Sequence, residues 1–531
     1  MNFKKVNNIT GWAVFFIAFL TYFLTREARG SFWDCGEFVS CAFKQQLPHP
    51  PGAPVFVLLG RFFIVLLGNN PLKAANAVNT MNALASAATI LFLFWTITHF
   101  ARKMLVQAGE TLNGQQIFTA MGSGIVGALA YTFCDSFWYS SGEGEVYALS
   151  SFFTALVFWA MLKWEHADEK SGNDAFAKAK ADRWIVFLFF MLGLAIGVHL
   201  LGILTIPAII MIYYYRRYKP TTKGAIIAFI VGCAVTGIVQ VGVIQYSMKS
   251  AGLFDIFFVN SLRMPFFSGF AVYFIALAGV IAWGLRFDEK NISKTKLISW
   301  FIIFLALFAL PFFTTTGSVP GQVFKFLLIA AIGAVAGYYI KTSALKVMKL
   351  FLWCFAFMTL GYLMYVTANP SIDMNNVDNP INLVYYLSRE QYGSAPIVYG
   401  PHFLADVNYD PETGSPYKDG EMQYVKGKDK YEKIGRDQIV QYKSEDKQLF
   451  PRVWDPSNDQ GHFDFYISWL QLGNITAPET CIVTTVGENV VQTQNQTGKA
   501  QNYNIDDNYS IRVRRGQVLS PGDLIAVKKP S

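Results

Sequence analysis

Residues 54–68 read Pro54-Val55-Phe56-Val57-Leu58-Leu59-Gly60-Arg61-Phe62-Phe63-Ile64-Val65-Leu66-Leu67-Gly68. Whether this run crosses a membrane decides the sidedness of everything after it. A helix needs about 20 apolar residues to cross ~30 Å of hydrocarbon. This run is shorter and is interrupted by Gly60 and Arg61, which suits an interfacial or re-entrant helix better than a span. The surrounding chain is of membrane composition. Of 531 residues, 53% are hydrophobic and 15% charged, against roughly 25% charged in ordinary soluble domains. That excludes a disordered chain and argues against a soluble one.

On the N-terminal side, an apolar run from Gly11 to Thr25 follows Lys4 and Lys5. A signal peptide would end in small residues at a cleavage site, whereas this run ends Thr25-Arg26-Glu27, so it reads as an uncleaved first span. On the other side, apolar runs lie near 76–101, 117–134, 147–163, 184–198, 200–215, 224–246, 268–285, 297–313, 322–340 and 347–367. With 54–68 not crossing, there are eleven spans, the N-terminus inside and the polar tail outside. The positive-inside rule tests this choice. The cytoplasmic stretches then hold 20 basic residues and the opposite side of the same region eight. If 54–68 crossed, the later basic loops would move outside and the rule would fail. The net charge of +8 therefore records orientation and says nothing of nucleic acid.

The fold class expected is an all-α polytopic membrane bundle over residues 1–367. A long first outer loop, about 26–75, carries the interfacial helix. Soluble α/β or β-rich regions follow at 368–475 and 476–531. The last of these alternates in polarity and reads as hairpin-rich. Glycosylation sequons begin at Asn474, just before it, and at Asn495 and Asn508 within it.

The apolar cores of the spans hold no acidic residue, which counts against proton-coupled transport. The seven outer acids, Glu27, Asp34, Glu37, Asp135, Glu143, Glu145 and Asp255, fall on loops and span ends. The densest group is Ser31-Phe32-Trp33-Asp34-Cys35-Gly36-Glu37-Phe38, followed by Pro48-His49-Pro50-Pro51-Gly52. On a helix Asp34 and Glu37 share a face, and a carboxylate with an acidic neighbour can accept a proton from an attacking hydroxyl. The plain alternative is a solvated acidic loop with a Pro-rich turn. Trp138-Tyr139, Glu143, Glu145 and Tyr147 suit sugar binding, but on the residues alone an interfacial aromatic belt is the better reading. His199 reads either as a buried histidine bonded to a carbonyl or as a group facing the outer cavity. His99 reads as interfacial. Arg29, Lys44, Arg61 and Arg263 are the outer basic residues available to a lipid phosphate, or simply snorkelling. The six cysteines form no metal pattern. A disulfide among Cys35, Cys41 and Cys134 is one option for the outer side, while Cys233 and Cys354 read as core thiols. No phosphate-cradling glycine loop is present.

Trp33-Asp34-x-Gly36-Glu37 followed by His49-Pro50-Pro51-Gly52 resembles the first outer loop of GT-C membrane glycosyltransferases, and of protein O-mannosyltransferases in particular. The chain is most similar to glycosyltransferase family 117, a membrane family abundant in Bacteroidetes. The likeness continues through Glu143-Gly144-Glu145-Val146-Tyr147, Gly197-Val198-His199, Phe257-Phe258-Val259-Asn260-Ser261 and Ser388-Arg389-Glu390-Gln391-Tyr392-Gly393, over roughly residues 10–475. It implies a multi-pass protein of the bacterial inner membrane with its C-terminal region periplasmic. It implies a polyprenyl-phosphate-linked hexose, mannose by preference, as donor, and Ser or Thr hydroxyls of an exported protein as acceptor. No cofactor or metal is obligatory in such a reaction. Asp34 or Glu37 would be the base, His49 would hold the loop or touch substrate, and Arg29, Arg61 or Arg263 would bind the donor phosphate. Trp138, Glu143, Glu145 and His199 would line the substrate site. Residues 476–531 depart from the longer family pattern and are read as a truncated or rearranged terminus. A transporter or lipid flippase, and a non-catalytic envelope scaffold, are the competing readings.

Overall fold

The computed structural model describes residues 2–106, 110–288, 291–309, 319–339, 348–350, 352–353, 355–356, 374, 376–389, 396, 398–401, 405–451 and 474–528. The chain divides into two compact units: Met1–Gln391 with Gln423–Ile434, and Tyr392–Met422 with Gly435–Ser531. The first unit is helical. In order it holds α1 (Phe3–Thr25), α2 (Cys35–Lys44), α3 (Pro54–Leu66), α4 (Ala74–Leu105), α5 (Gly114–Thr132), α6 (Asp135–Ser141), α7 (Val146–Ser171) and α8 (Ala175–Ala181). Then come α9 (Arg183–Ile196), α10 (Ile206–Arg217), α11 (Thr222–Ile238), α12 (Ser247–Asn260), α13 (Ser268–Leu285), α14 (Lys294–Ala309), α15 (Val319–Tyr339) and α16 (Pro380–Ser388).

Among the described residues, six helical stretches are long and apolar enough to cross a membrane, and seven if α5 with α6, bent by 68°, make one broken span. The run expected at 347–367 lies largely outside the described residues. The run that sets the sidedness forms α3, 13 residues long. At ~1.5 Å per residue it reaches about 20 Å, short of the hydrocarbon thickness. One face, with Phe56 and Ile64, is buried, while Phe62 and Leu66 on the other are exposed. The two residues that interrupt it both serve packing. Gly60 faces Ala42, where an added Cβ would lie 2.9 Å from the alanine methyl. Arg61 donates to the Phe43 carbonyl at 2.8 Å and the Asn69 side chain at 2.9 Å, bracing α2 against α3.

The long helix α4 is the centre of this half. Ala77, Ala83 and Ala87 on it are buried, and small residues let neighbouring helices approach closely. Gly124 of α5 shows how closely, since an added Cβ would meet Phe94 at 2.7 Å. A capping box of Asn113 with Gln116 starts α5. The apolar core runs through Tyr22, Ile90, Phe94 and Ile117 on this side, and through Leu188, Tyr273 and Trp300 beyond α7.

Several expectations need correction. The run at 224–246 continues through a π-helical turn at Val239–Tyr246 to Asn260, and that at 147–163 continues to Ser171. The segment 184–198 yields a helix of 14 residues that stops at Ile196, before Gly197. Asp255, read as one of the loop and span-end acids, lies within α12. It is fully buried in α12 and accepts from the backbone of Phe267 at 3.0 Å, Gly269 at 3.0 Å and Phe270 at 3.2 Å. Its carboxylate thus satisfies the orphan amides that open α13. Tyr431 adds its hydroxyl at 2.7 Å. Cys35, Cys41 and Cys134 are free thiols, so no disulfide joins them, and Cys233 is exposed rather than in the core. Cys354 lies outside the described residues.

The second unit is strand-rich, as the alternation predicts. Cys481–Val486, Val490–Asn495 and Ala500–Asn504 form an antiparallel meander with Val518–Leu519 on its edge. Ile475–Thr476, Leu524–Lys528 and Tyr509–Ile511 form a second sheet. Val483, Val491, Leu519 and Ile525 close a small core.

Candidate active site

Three segments converge around α2: Ser31 to Glu37, the His49-Pro50-Pro51-Gly52 turn, and the Glu143-Gly144-Glu145 loop that enters α7. Asp34 is the N-cap residue of α2 and Glu37 lies in its first turn, a place where the helix dipole favours negative charge. Glu37 grips His49 twice. One carboxylate oxygen accepts the His49 amide at 2.6 Å and the other faces His49 Nδ1 at 2.9 Å. The other ring nitrogen, Nε2, points toward Asp34 Oδ2 at 3.9 Å. The side chain of Asp34 is 55% exposed, that of Glu37 24%. Glu37 is therefore committed to the histidine, and Asp34 is the open carboxylate.

Beneath them lie Glu143 and Glu145, both buried. Glu143 accepts from Ser31 Oγ at 3.3 Å, with Cys35 Sγ at 3.8 Å. Burial raises its pKa, and hydrogen bonds from Ser31, Cys35 and Tyr139 oppose the rise. Burial pushes Glu145 up to about 7; the Val146 amide opposes this, and the charges of Asp34 and Glu143 add to it. Burial, and then Glu143, pushes the Cys35 thiol up to about 12. Glu143 and Glu145 are therefore buried carboxylates and not part of a solvated loop face.

Two asparagines of α4 hold the loops in place. Asn82, fully buried, donates to the Glu143 carbonyl at 2.6 Å and the Glu145 carbonyl at 2.7 Å. Asn79 donates to the Glu27 carbonyl at 2.8 Å and the Arg29 carbonyl at 3.3 Å. The His49 turn is held from α16, where the Tyr386 hydroxyl donates to the Pro48 carbonyl. Gly52 sits under that ring with φ +71°, and an added Cβ would lie 2.3 Å from the hydroxyl. The Pro50–Pro51 peptide is cis.

The other candidates separate. Trp138 donates to Thr25 Oγ1 at 2.8 Å and borders a cavity of about 270 Å³ together with Glu27, Ser31, Asp135, Tyr139 and Glu143. His199 caps the turn before α10 by accepting from Leu201 at 3.2 Å, and its ring lies 5.5 Å from that of Tyr147. Burial, then the charge of Arg389, holds its imidazole below the usual range. Arg29 is exposed, and Arg263 is exposed in a left-handed turn at φ +53°. Among the described residues, neither Arg61 nor Arg263 makes a hydrogen bond or ion pair with the acidic cluster. His99 meets Glu165 at 3.2 Å. Asp34, Glu37 and His49 also bring one ligand atom each within 4.8 Å of one another, so they are the residues that could hold a divalent metal. Asn79, Asn82 and Tyr386 were not singled out from sequence. The signal for the first two was present, because Asn76, Asn79 and Asn82 recur every third residue in an apolar run.

Residues 34–222 match the N-terminal domain of the protein O-mannosyl-transferase TMEM260. The matched stretch begins at Asp34 and takes in Glu37, His49, Glu143, Glu145 and His199. The TMEM260 protein O-mannosyl-transferase of Dictyostelium discoideum is 23% identical over 140 residues, 26% of this chain and 15% of that protein. The mouse protein of the same name is 28% identical over 150 residues, 28% of this chain and 18% of that protein. The matches thus cover less than a fifth of these relatives' length. Residues 393–513 match a family of unknown function, DUF8416. No solved structure matches the chain. Residues 34–222 are thus similar to the N-terminal domain of protein O-mannosyl-transferases, and the apolar helices are long enough for a membrane protein.

Proposed function

We propose that the chain is a GT-C-type membrane glycosyltransferase that moves a hexose, mannose by preference, from a polyprenyl-phosphate donor to Ser or Thr hydroxyls of an exported protein. The observation that carries this is the open carboxylate of Asp34 beside a His49 already engaged by Glu37. Asp34 takes the proton of the acceptor hydroxyl as its oxygen bonds to the anomeric carbon. The bond from that carbon to the phosphate oxygen breaks on the opposite face, polyprenyl phosphate leaves, and the configuration inverts. Glu37 acts through His49 and positions it. Glu143 and Glu145, with the cavity beside Trp138, form the sugar-facing wall. Arg29, exposed on the same loop, receives the leaving phosphate, whereas Arg61 is occupied in bracing α2 against α3. The reaction takes place at the periplasmic face of a bacterial inner membrane, in a bundle of eleven spans with α3 lying in the interface. It needs no metal.

The test is transfer from polyprenyl-phosphate-mannose to a Ser/Thr peptide by the purified full chain, with the product read by mass spectrometry. Asp34→Asn is expected to lower turnover by about 10²–10⁴. Equal transfer by wild type and variant would remove Asp34 as the base. Uptake of substrate into liposomes with no covalent product would favour a transporter instead.

A further inference from the structure

A second cavity, of about 1030 Å³, lies at the other end of the bundle from the acidic cluster. Helix α1 borders both cavities: Lys4 near its start lines this one, and Thr25 at its end lines the one beside Glu143. At ~1.5 Å per residue that separation is about 30 Å, one hydrocarbon thickness. The two cavities therefore open at opposite interfaces.

The chemistry of the two ends is opposite as well. Lys4, Arg102, Lys163 and Lys170 line the second cavity, with Glu110 as its one carboxylate. The cations come from three different helices, so the fold, rather than a run in the sequence, gathers them. Among the described residues, none of the four forms a salt bridge; the ion pairs at this end run through Lys103 with Glu165 and through Arg216 and Arg217 with Asp168. Unneutralised positive charge gathered in a concavity costs stability unless an anion shares it. Trp12, Trp95 and Trp159 form the wall deeper in. Trp95 and Trp159 are stacked at 5.7 Å, and the Lys163 ammonium lies 4.9 Å above the Trp159 ring. Trp12 is 47% exposed, on a face of α1 that also shows Ile9, Phe16 and Leu20. That wall is continuous with an apolar face of a helix long enough to span.

We propose that this cavity binds a phosphate-bearing anionic lipid, its headgroup among Lys4, Arg102, Lys163 and Lys170 and its acyl chain along Trp12. The site is separate from the transfer site and does not depend on the function proposed above.

The experiment is native mass spectrometry of the delipidated full chain titrated with phosphatidylglycerol, with phosphatidylcholine as the zwitterionic control. Three variants are compared: R102Q/K163Q, the charge-keeping R102K/K163R, and K178Q, which removes a basic residue of the same end outside the cavity. The expected result is preference for phosphatidylglycerol, weakened roughly thirtyfold in R102Q/K163Q at ~1 kcal/mol per cation, and unchanged in the other two. Thermal unfolding of R102Q/K163Q in detergent checks that the variant is folded. Equal binding of both lipids, or equal loss in K178Q, overturns the proposal. Displacement of the lipid by millimolar inorganic pyrophosphate also overturns it, and assigns the cavity to a soluble phosphate ligand.

Discussion

Replacing Asn82 by alanine tests whether α4 holds the acidic loop. The Asn82 amide is the donor to two carbonyls, those of Glu143 and Glu145, in a place with no exposure to water. A buried acceptor left without a donor costs about 1–3 kcal/mol. Two such losses are partly offset, because the Asn82 side-chain oxygen itself has no partner and its removal relieves that cost. The net loss is about 2–4 kcal/mol, large for a single substitution. Asn82→Asp should be worse still at neutral pH, since an ionised carboxylate offers no donor and adds a charge near two acids. The assay is thermal or denaturant unfolding of the full chain in detergent. Amide hydrogen exchange over residues 143–147 is the local readout. Asn82→Ala should lower stability and speed exchange in that loop, with transfer falling tenfold or more as the carboxylates lose their placement. A stability change within about 0.5 kcal/mol, with exchange at 143–147 unaltered, would refute the reasoning.

Four further outcomes follow. Glu145 holds its proton up to about pH 7, against an ordinary 4.5, so the folded state binds more protons than the unfolded one between those values. The Glu145 contribution to stability therefore falls as pH rises through that window and levels above it; Glu145→Gln should make the slope shallower, and identical slopes would count against the burial argument. Gly52→Ala places a Cβ against the Tyr386 hydroxyl at a positive φ and should lower the unfolding midpoint and transfer together, with wild-type values for both as the contrary result. Iodoacetamide at neutral pH should label exposed Cys134 but not Cys35 or Cys41, whose thiols burial pushes up to about 12; peptide mapping reads this directly. Chelation with EDTA should leave transfer unchanged, and loss of activity restored by a divalent ion would turn Asp34, Glu37 and His49 into a metal site.

The sequence made the helical bundle and the strand-rich tail legible because both rest on short-range pattern. Hydropathy marks the helices, and alternation marks the hairpins between 475 and 528. The shortness of the run at 54–68 likewise foretold a helix too brief to cross. The grouping of Asp34, Glu37 and His49 was legible in part, because all three fall within one loop. Their division of labour was not, since it depends on both oxygens of Glu37 reaching His49, a matter of rotamer and turn geometry. Asn82 and Tyr386 were illegible as site residues for another reason. They act on backbone carbonyls remote in sequence, 61 and 338 residues away in two of these bonds, and a backbone carbonyl leaves no trace in the amino-acid code. The role of Asp255 was hidden for the same reason: its partners are the backbone amides that open α13.

The bond between Asp255 and Tyr431 sets a schedule for the ribosome. The two residues are 176 positions apart, and the backbone of Tyr431 is also held at both ends by Asn260, at 2.9 Å and 2.8 Å. At roughly 5–20 residues per second, the carboxylate is synthesised on the order of ten seconds before its phenol arrives. Through that interval the Asp255 carboxylate must be served by the amides of α13 and by water alone. A chain cut at residue 391 would stay in that state permanently, so the helical unit cannot be excised as one continuous length of polypeptide.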